Sequence, residues 1–212
     1  SWNKYLEYQY LRKWEALGIN FTAGMVGQWN LTKAKLFSNS DFNSSKYALY
    51  GQVDKMFGDK LNLTLGARSE FNRVQSRDSL GHTSYPNENE SEPVFRTGIN
   101  YSLTEYTFLR ASYGQAYRFP TIAEKFITTT FGTVPIVPNY ALQSEKGWST
   151  EFGIKQGTKI GNLLGFVDLA FFESQYSNMI EFTIDRRAFP EFAFQAQNIG
   201  NTVIRGFEFS YF

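Results

Sequence analysis

Histidine occurs once in these 212 residues and cysteine not at all, which limits the chemistry the chain can do. His82 lies in the polar run Leu80-Gly81-His82-Thr83, with nothing beside it to complete a Ser-His-Asp relay. A tight transition-metal site needs several imidazole or thiolate ligands. One His without Cys predicts a solvated loop residue, no metal, no cofactor and no catalytic group. What remains is a series of charges in segments of alternating polarity: Arg68, Glu70, Arg96, Arg110, Arg118, Glu151, Lys155, Asp168 and Glu208. Such groups pair, bind and line a path. The net charge of +1, with no basic tract, makes nucleic acid a poor candidate partner.

The elements that must position these charges are strands. From residue 61 to 71, Leu61, Leu63, Leu65, Ala67, Ser69 and Phe71 fall on one face. Asn62, Thr64, Gly66, Arg68 and Glu70 fall on the other, because side chains alternate with period two. The pattern recurs about nine times, near residues 2–11, 19–30, 46–57, 61–72, 95–103, 107–118, 148–155, 163–174 and 198–211. Turns at 13–18, 58–60, 104–105 and 159–162 are short. Connections at 32–45, 75–91, 119–144 and 177–191 are long, and Pro86 and Pro93 are expected to keep 75–91 irregular.

Short and long connections in alternation, with one oily and one polar face, predict a wall between lipid and a polar lumen. No run of about 20 apolar residues exists, so transmembrane helices are not expected. The negative mean hydropathy is no objection, since half of each barrel strand faces water. Aromatic girdles at the two interfaces would account for 13 Tyr and 21 Phe. The spacing of Gly153, Gly157, Gly161 and Gly165 mimics a helix-dimer motif, but the flanking alternation makes it coincidental. The Asn62-Leu63-Thr64 sequon sits inside a strand and is discounted.

The expected fold is all-β: a transmembrane antiparallel up-and-down β-barrel of which the chain is an incomplete piece. An odd strand count, a start inside a strand, and two edges that lipid does not tolerate point the same way. By the usual sidedness of such barrels, the long loops are extracellular and the short turns periplasmic.

Four motifs follow one another along the chain. They are Leu63-Thr64-Leu65-Gly66-Ala67-Arg68; the series Gly114, Tyr117, Arg118, Pro120, Glu124; Asn139 with Leu142 and Glu145; and Asn198-Ile199-Gly200 with Ile204-Arg205-Gly206-Phe207-Glu208. Together they resemble the barrel of TonB-dependent outer-membrane receptors. Tyr140 stands where the family pattern has Pro, and the wording around 119–126 and 144–148 resembles receptors of Bacteroidota.

The resemblance implies a barrel of about 22 strands around a plug domain absent from this chain. It implies active transport of a scarce ligand (siderophore, cobalamin, haem or oligosaccharide), driven by TonB through that plug. Lipid, a surface lipoprotein or other envelope proteins are the further partners it suggests. The nine charges become lumen-facing or plug-contacting candidates, and Tyr85, Phe131, Tyr140, Phe189 and Phe192 candidates for ligand capture in the loops. For each charge the alternative is a cross-strand ladder that only solvates the wall. For the whole, the alternatives are a passive porin, an outer-membrane enzyme or secretion component, or a structural barrel in an envelope complex.

Overall fold

The computed structural model describes residues 1–33, 40–77, 85, 87–161, 163–185 and 192–212. In chain order the elements are β1 (Trp2–Trp14), β2 (Ile19–Lys33), β3 (Asp41–Phe57), β4 (Leu61–Arg77), β5 (Glu88–Ser102) and β6 (Thr107–Arg118). Then come α1 (Ile122–Phe126), β7 (Thr129–Phe131), β8 (Val134–Val137), β9 (Glu145–Ile160), β10 (Leu163–Ser177), β11 (Ile180–Asp185), β12 (Ala193–Asn198) and β13 (Thr202–Tyr211). Nine of them form one antiparallel sheet in the order β1-β2-β3-β4-β5-β6-β9-β10-β13, open at both edges. Each strand lies beside its predecessor in the wall, as in an up-and-down barrel.

Short turns join the strands at one end. Gly18 closes the 3-10 turn after β1 with φ 58°, and Gly58 turns β3 into β4 with φ 57°. Both conformations disfavour a side chain. The other end carries the long connections, and there the expected boundaries need correction. β3 begins at Asp41 and β4 runs to Arg77, each five residues past the expected end, with Asp41 paired to Arg77. The added stretch is polar on most positions, so it lacks the oily alternation by which a strand is recognised.

Pro93 is a second correction, because it sits inside β5 opposite Ser69. The β5–β6 ladder spans only Arg96–Gly114 to Ser102–Phe108. At Pro93 the far edge of β5 has no ladder partner, and a proline without N–H is tolerated there.

The third correction concerns the connection 119–144 and the stretch from 177 to the last strand, both read without elements of their own. Together they hold α1 and a second sheet in the order β11-β12-β8-β7, whose β12–β8 contact is parallel. We call α1 and this sheet the cap. α1 opens with a capping box: the Thr121 side chain accepts from the Glu124 N–H, and Glu124 accepts from the Thr121 N–H. The core lies at this end of the molecule. Phe42 and Val74, from one face of the wall, pack with Phe119 and Phe126. Leu142, Ile180 and Ala196 form a smaller cluster within the cap.

Candidate functional site

Register decides which side chains share a face. Glu208 lies opposite Ala170, Ala170 opposite Gly153, Gly153 opposite Arg110, and Arg110 opposite Asn100. Asp168 lies opposite Lys155, Ser112 opposite Glu151, Arg118 opposite Glu145, Gly66 opposite Arg96, and Glu70 opposite Glu92. By alternation along each strand, all nine charges singled out in the sequence fall on one face. It is the face against which Phe119 and Phe126 pack.

Most of these charges are paired. Arg110 donates through Nε to Glu151 (2.7 Å) and through Nη1 to Asp168 (2.8 Å), spanning β6, β9 and β10. Arg68 donates to Glu70 (2.7 Å) and its guanidinium lies 5.8 Å from the Tyr50 ring centroid. Arg96 donates to Gln52. Lys155 sits over the Phe166 ring at 4.6 Å. The cross-strand ladder is therefore present, and it is also what lines this face.

Glycines make the longer reaches possible. Arg110 crosses β9 directly over Gly153, where a Cβ would stand 2.5 Å from its Cζ. Arg96 crosses β4 over Gly66, where a Cβ would meet its Cγ at 2.9 Å. Tyr50 crosses β2 over Gly24 and donates to Glu7 on β1 at 3.1 Å. Each of these side chains lies flat along the wall because the strand it crosses has no Cβ at that point.

The opposite face is apolar and exposed, with Leu6, Tyr8, Leu49, Leu65, Phe152, Phe207 and Phe209 among its residues. Its band is diagonal to the register. On β1 it is centred on Tyr8 between Lys4 and Arg12, and on β13 it is centred on Phe209. Followed strand by strand to β4, the row of Tyr8 arrives at Ser69 and the row of Phe209 at Leu61. The two lie eight residues apart over the eight steps from β1 to β13. One residue per step, at about 3.4 Å rise and about 4.8 Å spacing, is a tilt of about 35°, which is that of outer-membrane barrel strands. Trp29 and Tyr47 meet edge to face, with Trp29 Nε1 donating to the Tyr47 hydroxyl (3.0 Å), on the long-loop side of the band. Trp14 and Phe21, with Arg12 over the Trp14 ring, lie on the other side.

At the long-loop end the charges tie the cap to the wall. Arg118 donates to Glu124 of α1 (2.9 Å) and to Glu145 of β9 (2.6 Å), and Glu145 also accepts the Ile180 N–H of β11 (2.6 Å). Above the last β5–β6 pair, three alternate carboxylates of β5 replace the missing ladder. Glu88 takes Lys125 of α1 (2.7 Å), Glu90 accepts the Ser144 hydroxyl (2.7 Å), and Glu92 takes Lys146 of β9 (2.7 Å). Lys125 is only 7% exposed. These three glutamates were missed in the sequence because Glu88 and Glu90 fall in 75–91, read as loop, and Glu92 falls between that loop and the expected start of the strand at Phe95. Their i, i+2, i+4 spacing is the signal that could have found them.

Of the loop aromatics, Tyr85 and Tyr140 come together, with ring centroids 5.0 Å apart. They pack on Phe126 at 5.3 and 5.9 Å, and Phe42 closes the cluster at 4.7 Å from Phe126. Burial, then the hydrogen bond with Tyr85, pushes the Tyr140 phenol up to about 12. Phe131 (78% exposed) and Phe192 stand apart from the cluster. Phe189 and His82 lie outside the described residues. Phe42 and Phe126, the two buried members, were not singled out in the sequence.

The family model of the TonB-dependent receptor-like β-barrel matches residues 1–212. The chain belongs to the TonB-dependent receptor family. Among solved structures, this receptor barrel is similar to a double mutant of the Serratia marcescens hemophore receptor HasR, in complex with its hemophore HasA and heme. That match has a TM-score of 0.73 at 16% identity, over 98% of this chain and 38% of the other. It is similar also to the copper transporter OprC (TM-score 0.73, 15% identity, 99% and 35%). A third likeness is to the alcaligin outer-membrane receptor FauA of Bordetella pertussis (TM-score 0.57, 14% identity, 99% and 35%). The chain spans 35–38% of the length of these three proteins. No curated protein sequence matches it. Among the described residues no helix is long and apolar enough to cross a membrane, which says nothing of a β-barrel.

Proposed function

We propose that this receptor barrel is part of the wall of an outer-membrane active transporter. The observation that carries the reading is the family match over the whole chain, on a sheet with one apolar face and one face of paired charges. Lipid covers the apolar face. The paired charges face the lumen, where Arg68, Glu70, Arg96, Arg110, Glu151, Lys155, Asp168 and Glu208 line the path or touch a plug. Arg118 serves at the mouth by fixing the cap.

On this reading the long-loop end is extracellular and the short turns periplasmic. A scarce ligand enters past the cap, and TonB, acting through the plug, releases it inward; a surface lipoprotein or another envelope protein is a further partner at the mouth. The reading assigns no covalent step to the protein. Uptake by cells carrying the full-length receptor tests it. Accumulation of ligand should stop when TonB is deleted and return when it is restored. A large, steady conductance of the full-length protein in planar bilayers, with uptake indifferent to TonB, would establish the passive porin instead.

A further inference from the structure

Above the last β5–β6 pair, Arg96 with Gly114, these two strands share no ladder, although β5 continues to Glu88 and β6 to Arg118. β5 stays paired with β4 there, and β6 with β9. By alternation Tyr117 and Lys146, which lie opposite each other, belong to the apolar face of β6 and β9. Yet the Tyr117 hydroxyl accepts from Asn72 (3.4 Å), Tyr117 packs against the cluster of Phe42 and Val74, and Lys146 donates to Glu92 (2.7 Å). Those partners stand on the polar face of β3, β4 and β5. An outer-face side chain reaches the inner face of neighbouring strands only where its own strand passes inside them. The long-loop ends of β6 and β9 therefore lap over the polar face of β4 and β5, and the wall is slit.

The slit reaches down into the apolar band. Followed from Tyr8 at one residue per step, that band is centred near Thr97 on β5, next to Arg96. A bare strand edge is not tolerated in lipid, and the sequence disposes of it. The Phe95 N–H donates to the Gln115 side chain (3.1 Å) instead of to a β6 carbonyl. Alternate N–H groups of a strand face the same neighbour, and at the next such position Pro93 has none. No continuous ladder can close this gap. The two halves of the wall, β1–β5 and the strands from β6 to β13, are held together here by side chains alone.

α1 reaches both halves with consecutive residues. Glu124 accepts from Arg118 at the end of β6 (2.9 Å), and Lys125 donates to Glu88 at the end of β5 (2.7 Å). The Lys125 contact is the buried one, at 7% exposure. Lys146, in the pair with Glu92, is half exposed, and an ion pair open to water holds little. We infer that α1 is the clasp of this slit: when it lifts from Glu88 and Phe42, the long-loop ends of β6 and β9 part from β4 and β5 and the mouth widens. The inference rests on the transport reading, for which it supplies an entrance that enlarges without breaking a backbone ladder.

Pulsed electron spin resonance on the full-length receptor in lipid vesicles tests it. Nitroxides on Lys4→Cys and Asn89→Cys, exposed positions in one row of β1–β5, should sit about 19 Å apart, four strand spacings, and report one half of the wall. Nitroxides on Asn89→Cys and Val203→Cys, both exposed, span the slit. Lys125→Met should lengthen the distance across the slit by about 4.8 Å or more, one strand spacing, and leave the distance within the half as it was. Glu92→Gln, which keeps α1 on Glu88, should broaden the distribution across the slit, and it covers the case in which Lys125→Met fails to fold. A change in either variant that is confined to the pair spanning the slit supports the clasp. The inference is overturned if both variants leave that pair as in the parent, or if the pair within the half changes with it. TonB-dependent uptake, measured on the unlabelled parent, decides the transport reading separately.

Discussion

In the wall, large side chains such as Phe207 and Leu65 stand exposed, and the face that other elements cover is polar. Where the cap meets the wall the arrangement is reversed: Phe42 of β3 is wholly covered, Phe126 of α1 nearly so, and Lys125 is buried against a carboxylate. The wall uses lipid as the partner for its apolar side and hydrogen-bonded ladders for its cohesion. The cap, outside the hydrocarbon, must assemble a small core of its own, as a water-soluble domain does. One chain thus follows two sets of rules, and the boundary falls where the β5–β6 ladder stops at Arg96 and Gly114.

That contrast can be broken from either side. Phe42→Ala removes the one large side chain that is fully buried among the described residues and should weaken the seat of the cap on the wall by about 3–5 kcal/mol. Limited proteolysis should then cut within 119–144 while the wall keeps its β circular dichroism. Lys125→Met, which leaves Glu88 without its cation, should cost about 3 kcal/mol, and the charge-reversed pair Lys125→Glu with Glu88→Lys should recover part of the loss of protease resistance. Phe207→Ala should cost about 1.5–3 kcal/mol in vesicles, as loss of a lipid-buried ring, measured by urea unfolding of the full-length receptor. An equal cost for the water-soluble state would contradict the membrane assignment of that face. Gly153→Ala should cost about 1 kcal/mol by lifting Arg110 off its track. Removing the guanidinium as well, in Gly153→Ala with Arg110→Met, should return most of it.

The smallest effect concerns alkali. The Tyr140 phenol is held up to about 12 by burial and its bond with Tyr85, against an ordinary value near 10. Its proton is bound more tightly in the folded cap, so its contribution is complete below about pH 10. It declines as pH rises toward about 12. Ultraviolet titration of the phenolates, followed against cap proteolysis, should show the two rising together; a Tyr140 that ionises near pH 10 with the cap intact would remove it from the aromatic cluster.

Much of the wall was legible because one physical signal repeats through it. Period-two alternation located all nine strands of the large sheet, their order and the face of every charge singled out, since a strand has only two faces to choose from. The cap was not legible for the complementary reason. β11 and β12 are six residues each, and β7 and β8 shorter still, too brief for alternation to separate them from loop. Their stability comes from contacts across long sequence separations, such as Glu145 with Ile180. Thr121-x-x-Glu124 was the one local signature available there, a capping box of recognisable spacing.

The side chains that lie down over Gly24, Gly66 and Gly153 have a mechanical consequence. On the transport reading, an arginine standing upright from the wall would reach into the bore and catch on whatever passes. Laid sideways and held by a partner two strands away, a carboxylate for Arg110 and an amide for Arg96, it becomes part of a smooth surface. A folded body seated against that surface, or a segment drawn along it, would find weak, evenly spaced holds instead of a few strong ones. If the transport reading holds, such a surface would let its contents slide under a modest pull while still centring them, much as a bearing does.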